Sequence, residues 1–150
     1  MRIVIDTNIV YSALLNTNSK IAKIILRPKT SFNFYSTEML LSEIEEHKKD
    51  IKKYADYSDF ELDKAIFLLT RKIRFIDVKL IPKSIIQIAE DLTFDVDSDD
   101  MEFIALTEHL KCHFWSGDNE LKRGLLKKKW NKFITTNTLY EKILNKKSTL

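Results

Sequence analysis

The chain has 150 residues, of which 44% are hydrophobic, 11% aromatic and 31% charged, the composition of one folded domain over residues 1–150 rather than a disordered, collagen-like or membrane-spanning chain. A single cysteine, Cys112, excludes an internal disulfide and disfavours a thiolate metal site; in the apolar run Cys112–Trp115 it is expected to be a small core residue. The formal charge of +3 hides an asymmetry: from Leu121 onward nine Lys or Arg face one acid, Glu141, whereas the first 120 residues carry 16 basic and 21 acidic side chains.

The opening residues reach an acid at Asp6, too early for the apolar core of a signal peptide, and no run of about 20 apolar residues follows. A cytoplasmic protein with no membrane partner is therefore expected. Arg2 to Asp6 holds Ile3, Val4 and Ile5, a β-branched run that suits a strand buried on both faces. Helices are expected from about Asn8 to Leu15 and from Ser19 to Leu26, the second stopped before Pro28, with a second strand over Phe32 to Ser36.

Thr37 opens a helix whose Leu40, Leu41, Ile44 and Ile51 share one face, and Ser58 or Asp59 opens another that carries Phe60, Leu62, Ile66, Phe67 and Leu69 into the core. A short strand over Arg74 to Val78 follows, then a helix from Pro82 through Leu92 and another from about Asp99 to Leu110. Cys112 to Trp115 is the next strand; a helix after Asp118, a strand over Lys132 to Thr135 and a helix from about Thr138 to Leu144 complete the chain. Apolar runs separated by amphipathic helices imply a parallel sheet of about five strands in a three-layer α/β/α domain, with ligands gathered beyond the carboxyl ends of the strands.

Four acids fall at that edge. Asp6 follows the first strand, a costly place for an idle charge, although a helix cap explains it equally when taken alone. Asp118 repeats the arrangement after Ser116 and Gly117, one of only two glycines, expected to serve a close backbone approach or a positive φ unless it is an ordinary turn. Among Asp97, Asp99 and Asp100, the first two can cap the following helix, whereas Asp100 falls in line with Phe103, Ile104 and Thr107 at about 100° per residue. Glu43 lies about 60° from the Leu40, Ile44, Ile51 stripe and reaches the sheet edge; Glu46 is on the far side, Glu45 reads as a solvated acid, and a small shift of register exchanges one for another. Clustered carboxylates repel, and a hard divalent cation resolves the repulsion.

These segments resemble the motifs of the PIN family, which includes the VapC-type ribonuclease toxins of toxin–antitoxin pairs. IVIDTNIVYSALL is similar to its first motif, STEMLLSEI to the helix with its conserved Glu, DSDDMEFIALTEHL to the third motif and FWSGDNEL to the fourth. The resemblance covers essentially the whole chain and implies a strand order of 3-2-1-4-5. It also implies Asp6, Glu43, Asp100 and Asp118 as catalytic and metal-binding residues, supported by Asn8, Asp97 and Ser116, and an RNA product with 5′-phosphate and 3′-hydroxyl ends. The expected activity is hydrolysis of RNA by water activated on one or two Mg²⁺ or Mn²⁺ ions.

Lys122, Arg123, Lys127, Lys128 and Lys129 offer a positive path for the nucleic-acid backbone, while Tyr11, Tyr35 and Trp130 are candidates for stacking on bases or for partial core. His47, His109 and His113 show no shared ligand spacing and are given no catalytic role. An antitoxin and a homodimer are possible partners. The alternatives are a non-catalytic nucleic-acid or protein-binding module of the same fold, against which the intact acids speak; a haloacid-dehalogenase-like phosphatase, which would want an Asp where Asn8 stands; and a receiver, which would want adjacent acids after the first strand and an Asp after its third.

Overall fold

A computed structural model describes residues 1–148, with side chains as far as 145, so the side chains of Lys146 and Lys147 lie outside the described residues. The elements in chain order are β1 (Arg2–Ile5), α1 (Thr7–Leu15), α2 (Lys20–Leu26), β2 (Asn33–Ser36), α3 (Met39–Glu46), α4 (Lys48–Ala55), α5 (Asp59–Thr70) and β3 (Ile73–Phe75). After them come α6 (Lys83–Thr93), α7 (Met101–Leu110), β4 (His113–Trp115), α8 (Asn119–Lys127), β5 (Phe133–Ile134) and α9 (Thr136–Ser148).

The five strands form one sheet of order β3-β2-β1-β4-β5, with every pairing parallel, as the resemblance implied. Val4 of the central strand is level with Tyr35 on one side and Phe114 on the other. Ile3, Val4 and Ile5 are fully buried, as β-branched residues covered on both faces should be. Helices α1, α2, α4 and α5 pack with one another and α9 joins them through α2, whereas α6 packs on α7, which lies against β1 and β4. Because every strand runs the same way, each strand-to-helix turn falls on the same edge, where Asp6, Ser36, Ser116 and Asp118 emerge.

Several elements depart from the sequence expectation. The helix expected to run from Thr37 past Ile51 breaks at His47. Between Ile44 and Ile51 every side chain is polar, so only the two isoleucines anchor this stretch, and the bend buries both. Leu41, assigned to the same apolar face, is 39% exposed. On α5 the stripe Leu62, Ile66 and Leu69 faces inward, while Phe60 and Phe67 are 76% and 62% exposed; at about 100° per residue both lie more than a third of a turn from Leu62. The strand expected over Arg74 to Val78 is Ile73–Phe75, because Ile73 pairs with Phe34, and Val78–Leu80 is a single 3₁₀ turn capped by Asp77. Cys112 precedes β4 and is half-buried rather than fully enclosed, and its burial pushes the thiol pKa up. Helices α1 and α9 each begin earlier than expected, at Thr7 and Thr136.

Candidate metal centre

Asp6 occupies the cap position of α1, yet its side chain makes no capping bond. It is 4% exposed and accepts hydrogen bonds from Ser116 Oγ at 2.6 Å and Asn8 Nδ2 at 3.1 Å, so the capping alternative does not describe it. Ser116 Oγ also accepts from the Asp118 backbone N–H at 3.1 Å, and Asn8 Oδ1 accepts from the Gly117 N–H at 3.0 Å. The turns after β1 and β4 are thereby fastened together around one buried carboxylate. Burial raises the Asp6 pKa to about 6 against the opposing bond from Ser116, with Glu43 and Asp118 adding like charge.

Glu43 projects from α3 to the same edge, where Thr7 Oγ1 donates to its Oε1 at 3.0 Å. Burial again raises its pKa, with a smaller contribution from Glu46. Glu45 is instead tied to Lys48 at 3.1 Å in solvent and Glu46 is exposed, so of the three neighbouring acids Glu43 is the one that lines the cavity around Asp6.

Asp100 ends the 3₁₀ turn Ser98–Asp100 and enters α7 on the face of the buried Phe103, Ile104 and Thr107. It is 9% exposed, and its Oδ2 has no hydrogen-bond partner. Among the described residues only one other buried side-chain atom shares that condition, Thr37 Oγ1, also beyond the carboxyl end of a strand. Burial, followed by repulsion from Asp6 and Asp97, pushes the Asp100 pKa up to about 8. Asp97 caps the backbone N–H of Asp99 at 3.0 Å and Asp118 caps that of Leu121 at 3.0 Å, each with one oxygen. Carboxylate oxygens of Asp97, Asp100 and Asp118 lie within 4.8 Å of one another.

All these acids line one cavity of about 350 Å³, bounded by Asp6, Glu43, Asp97, Asp99, Asp100 and Asp118 with Thr7, Asn8, Tyr11 and His47. The fit to a hard cation rests on an all-oxygen donor set, on a mutual repulsion that a positive ion would relieve, and on the buried oxygen of Asp100 that nothing else satisfies.

The PIN domain family matches the sequence over residues 4–142. The chain belongs to the PIN domain family. No curated protein sequence matches it. In structure the PIN domain resembles a chain from the crystal structure of VapBC2 from Rickettsia felis bound to a DNA fragment from their promoter, with a TM-score of 0.63 and 10% identity; the match covers 90% of this chain and 97% of that one. At that identity the likeness is one of fold.

Three residues of the cavity were given no site role by the sequence reading: Thr7, His47 and Asp99, the last read as a helix cap. Thr7 holds Glu43, and His47, given no role, stands against the Tyr11 ring edge to face at 5.9 Å. The available signal was spacing, since His47 follows Glu43 by four residues and so sits above it as α3 ends. The basic residues of α8 do not line the acidic cavity. Lys128 is occupied elsewhere: its ammonium donates to the carbonyls of Asp91 and Leu92 at 3.2 and 2.9 Å and to the Asp95 carboxylate, over the Phe94 ring. Trp130 is core, its indole N–H donated to Glu108 at 2.7 Å. Gly117 has no positive φ, and a methyl group there would meet only the Asn8 side chain at 3.6 Å, so it is an ordinary turn; the close approach belongs to Gly124, where Val96 stands 2.6 Å from the added carbon.

Proposed function

We propose that this PIN domain is a metal-dependent endoribonuclease. The observation that carries the reading is the buried, unpartnered Asp100 oxygen beside Asp97 and Asp118, a costly arrangement for a fold that only binds. Asp97, Asp100 and Asp118 would hold Mg²⁺ or Mn²⁺, with Asp6 and Glu43 completing the negative field. When bound, such an ion supplies a more acidic water and offsets charge on the phosphoryl oxygens.

The chain's own residues orient and protect this centre. Ser116 and Asn8 both donate to one oxygen of the Asp6 carboxylate and so orient it at the sheet edge. Thr7 turns one oxygen of Glu43 inward and leaves the other for a water or an ion. Asp100, whose burial and acidic neighbours push its pKa up to about 8, would give up its proton to bind a cation. The exposed Arg123, Lys127 and Lys129, with Lys122, remain as backbone contacts for RNA, whereas Lys128 serves the fold.

The likeness to a chain of a VapBC complex supports a toxin paired with an inhibiting antitoxin, and the exposed Phe60 and Phe67 supply apolar area for such a partner or for a second copy. The test is incubation of wild type, Asp6→Asn and Asp100→Asn with structured and single-stranded RNAs under Mg²⁺, Mn²⁺ or EDTA. Cleavage by wild type alone, abolished by EDTA, is the expected result. Absence of cleavage together with absence of saturable Mn²⁺ binding in calorimetry overturns the reading in favour of a binding module.

A further inference from the structure

The edge of the sheet opposite the acids carries the reverse charge. Helix α2 presents Lys20 and Lys23 on the side of α9, and Arg27, which caps its C-terminus, continues the stripe. Lys20 already places its ammonium over the Tyr140 ring, 5.3 Å from the centroid. The stripe opens into two adjoining cavities of about 350 and 410 Å³ that share Arg27 and Ile143. Lys23 and Tyr140 line the first, Lys29 and Lys142 the second, and among the described residues no acid lines either. Among the described residues, none of the ion pairs involves Lys23, Arg27, Lys29 or Lys142. Lys23, Lys29 and Lys142 are exposed, while Arg27 is half-buried at the junction of the two cavities.

We propose that this groove between α2 and α9 is a second nucleic-acid contact that grips the phosphate backbone of single-stranded RNA. The arrangement favours a polymer over a single phosphate, because the four cations are spread along two joined cavities instead of converging on one point. Arg27 is the pivot: its planar fork can meet a phosphate from either cavity, which a lysine cannot do with two parallel bonds. A contact of this kind reads charge rather than sequence. It also answers a problem set by the acidic cavity, whose lining of six acids gives a negative field that repels the very backbone that must reach it. The groove stands whether or not the acids cut, since it shares no residue with them.

The experiment is fluorescence anisotropy with a labelled 20-mer of single-stranded RNA, in EDTA so that nothing is cleaved, across a salt series. Wild type is compared with Lys23→Gln/Arg27→Gln/Lys142→Gln, with Lys23→Gln/Lys29→Gln/Lys142→Gln, which spares half-buried Arg27, and with the charge-matched control Lys49→Gln/Lys53→Gln/Lys64→Gln on α4 and α5. Both groove variants are expected to bind at least tenfold more weakly, and the slope of log affinity against log salt to fall by about 2, the share of three phosphate contacts at about 0.7 each. The control should bind within twofold of wild type. Equal weakening in groove and control variants, no weakening in either groove variant, or loss of binding only to phosphatidylserine vesicles with RNA binding intact would each overturn the assignment.

Discussion

The two edges of the sheet are made from the same connections, yet they hold charge in opposite ways. At the carboxyl edge Asp6 and Asp100 are buried and raised in pKa, Asp6 fastened by Ser116 and Asn8 while one Asp100 oxygen has no partner. At the amino edge Lys23, Lys29 and Lys142 stand in solvent, and the fold asks little of them. Crowded buried charge opposes folding unless a ligand relieves it, whereas dispersed exposed charge is close to neutral for stability. The contrast is the one expected between the proposed centre for an ion and the proposed surface for a polyanion.

The largest expected effect comes from breaking the crowded edge. Asp100→Asn should lower RNA cleavage by about 100-fold or more, as removal of one electrostatic group at a reacting centre does. The same change should raise the melting temperature in EDTA at neutral pH, because the amide needs no proton taken up on folding whereas Asp100 does, by about 2–4 °C for each kcal/mol recovered in a chain of this length. Opposite signs in activity and stability are the point, and a variant that lost both would refute it.

Next is the packing that holds the Asp97 to Asp100 turn against α8. Gly124→Val places a branched side chain where Val96 already stands 2.6 Å from a modest methyl, so unfolding in urea should show a loss of about 1–3 kcal/mol. Calorimetry should show weaker Mn²⁺ binding as well, since Val96 adjoins Asp97 in the chain.

The pH dependence follows from the two raised carboxyls. An unfolded Asp ionises near 3.8, whereas folded Asp6 and Asp100 hold their protons to about 6 and about 8. Their contribution to stability is thus complete below about pH 4 and declines as pH rises to about 8. Thermal melts in EDTA should show that decline, and Mn²⁺ should raise the melting temperature more at pH 8 than at pH 5. The smallest effect belongs to the dispersed edge: Lys23→Gln should leave the unfolding free energy within about 0.5 kcal/mol of wild type.

Much of the fold was written in short-range patterns. Ile3 to Ile5 can only be a covered strand, and the caps at Ser19 and Ser58 are local chemistry. Asp6, Asp118, Asp100 and Glu43 were legible at the sheet edge because the first two follow strands and the others lie on or beside a buried helical face, whereas Asp99, read as a cap, lines the cavity too. What escaped depends on partners far away in sequence. Lys128 looks like any surface lysine until the carbonyls of Asp91 and Leu92 come to it. Phe60 and Phe67 match the hydrophobicity of core residues, and only the placement of α5 decides which of its two apolar faces turns outward. The break at His47 arises from the lack of apolar anchors between Ile44 and Ile51, a negative signal that periodicity alone does not register.

The hydrogen bond from Ser116 to Asp6 joins residues 110 positions apart. A ribosome finishes Asp6 almost at once, but the turn that fixes it emerges only after most of the chain has been made. A partly synthesised chain therefore carries an incomplete carboxylate cluster beside the very RNA being translated, and the cluster is completed only with the last third of the fold.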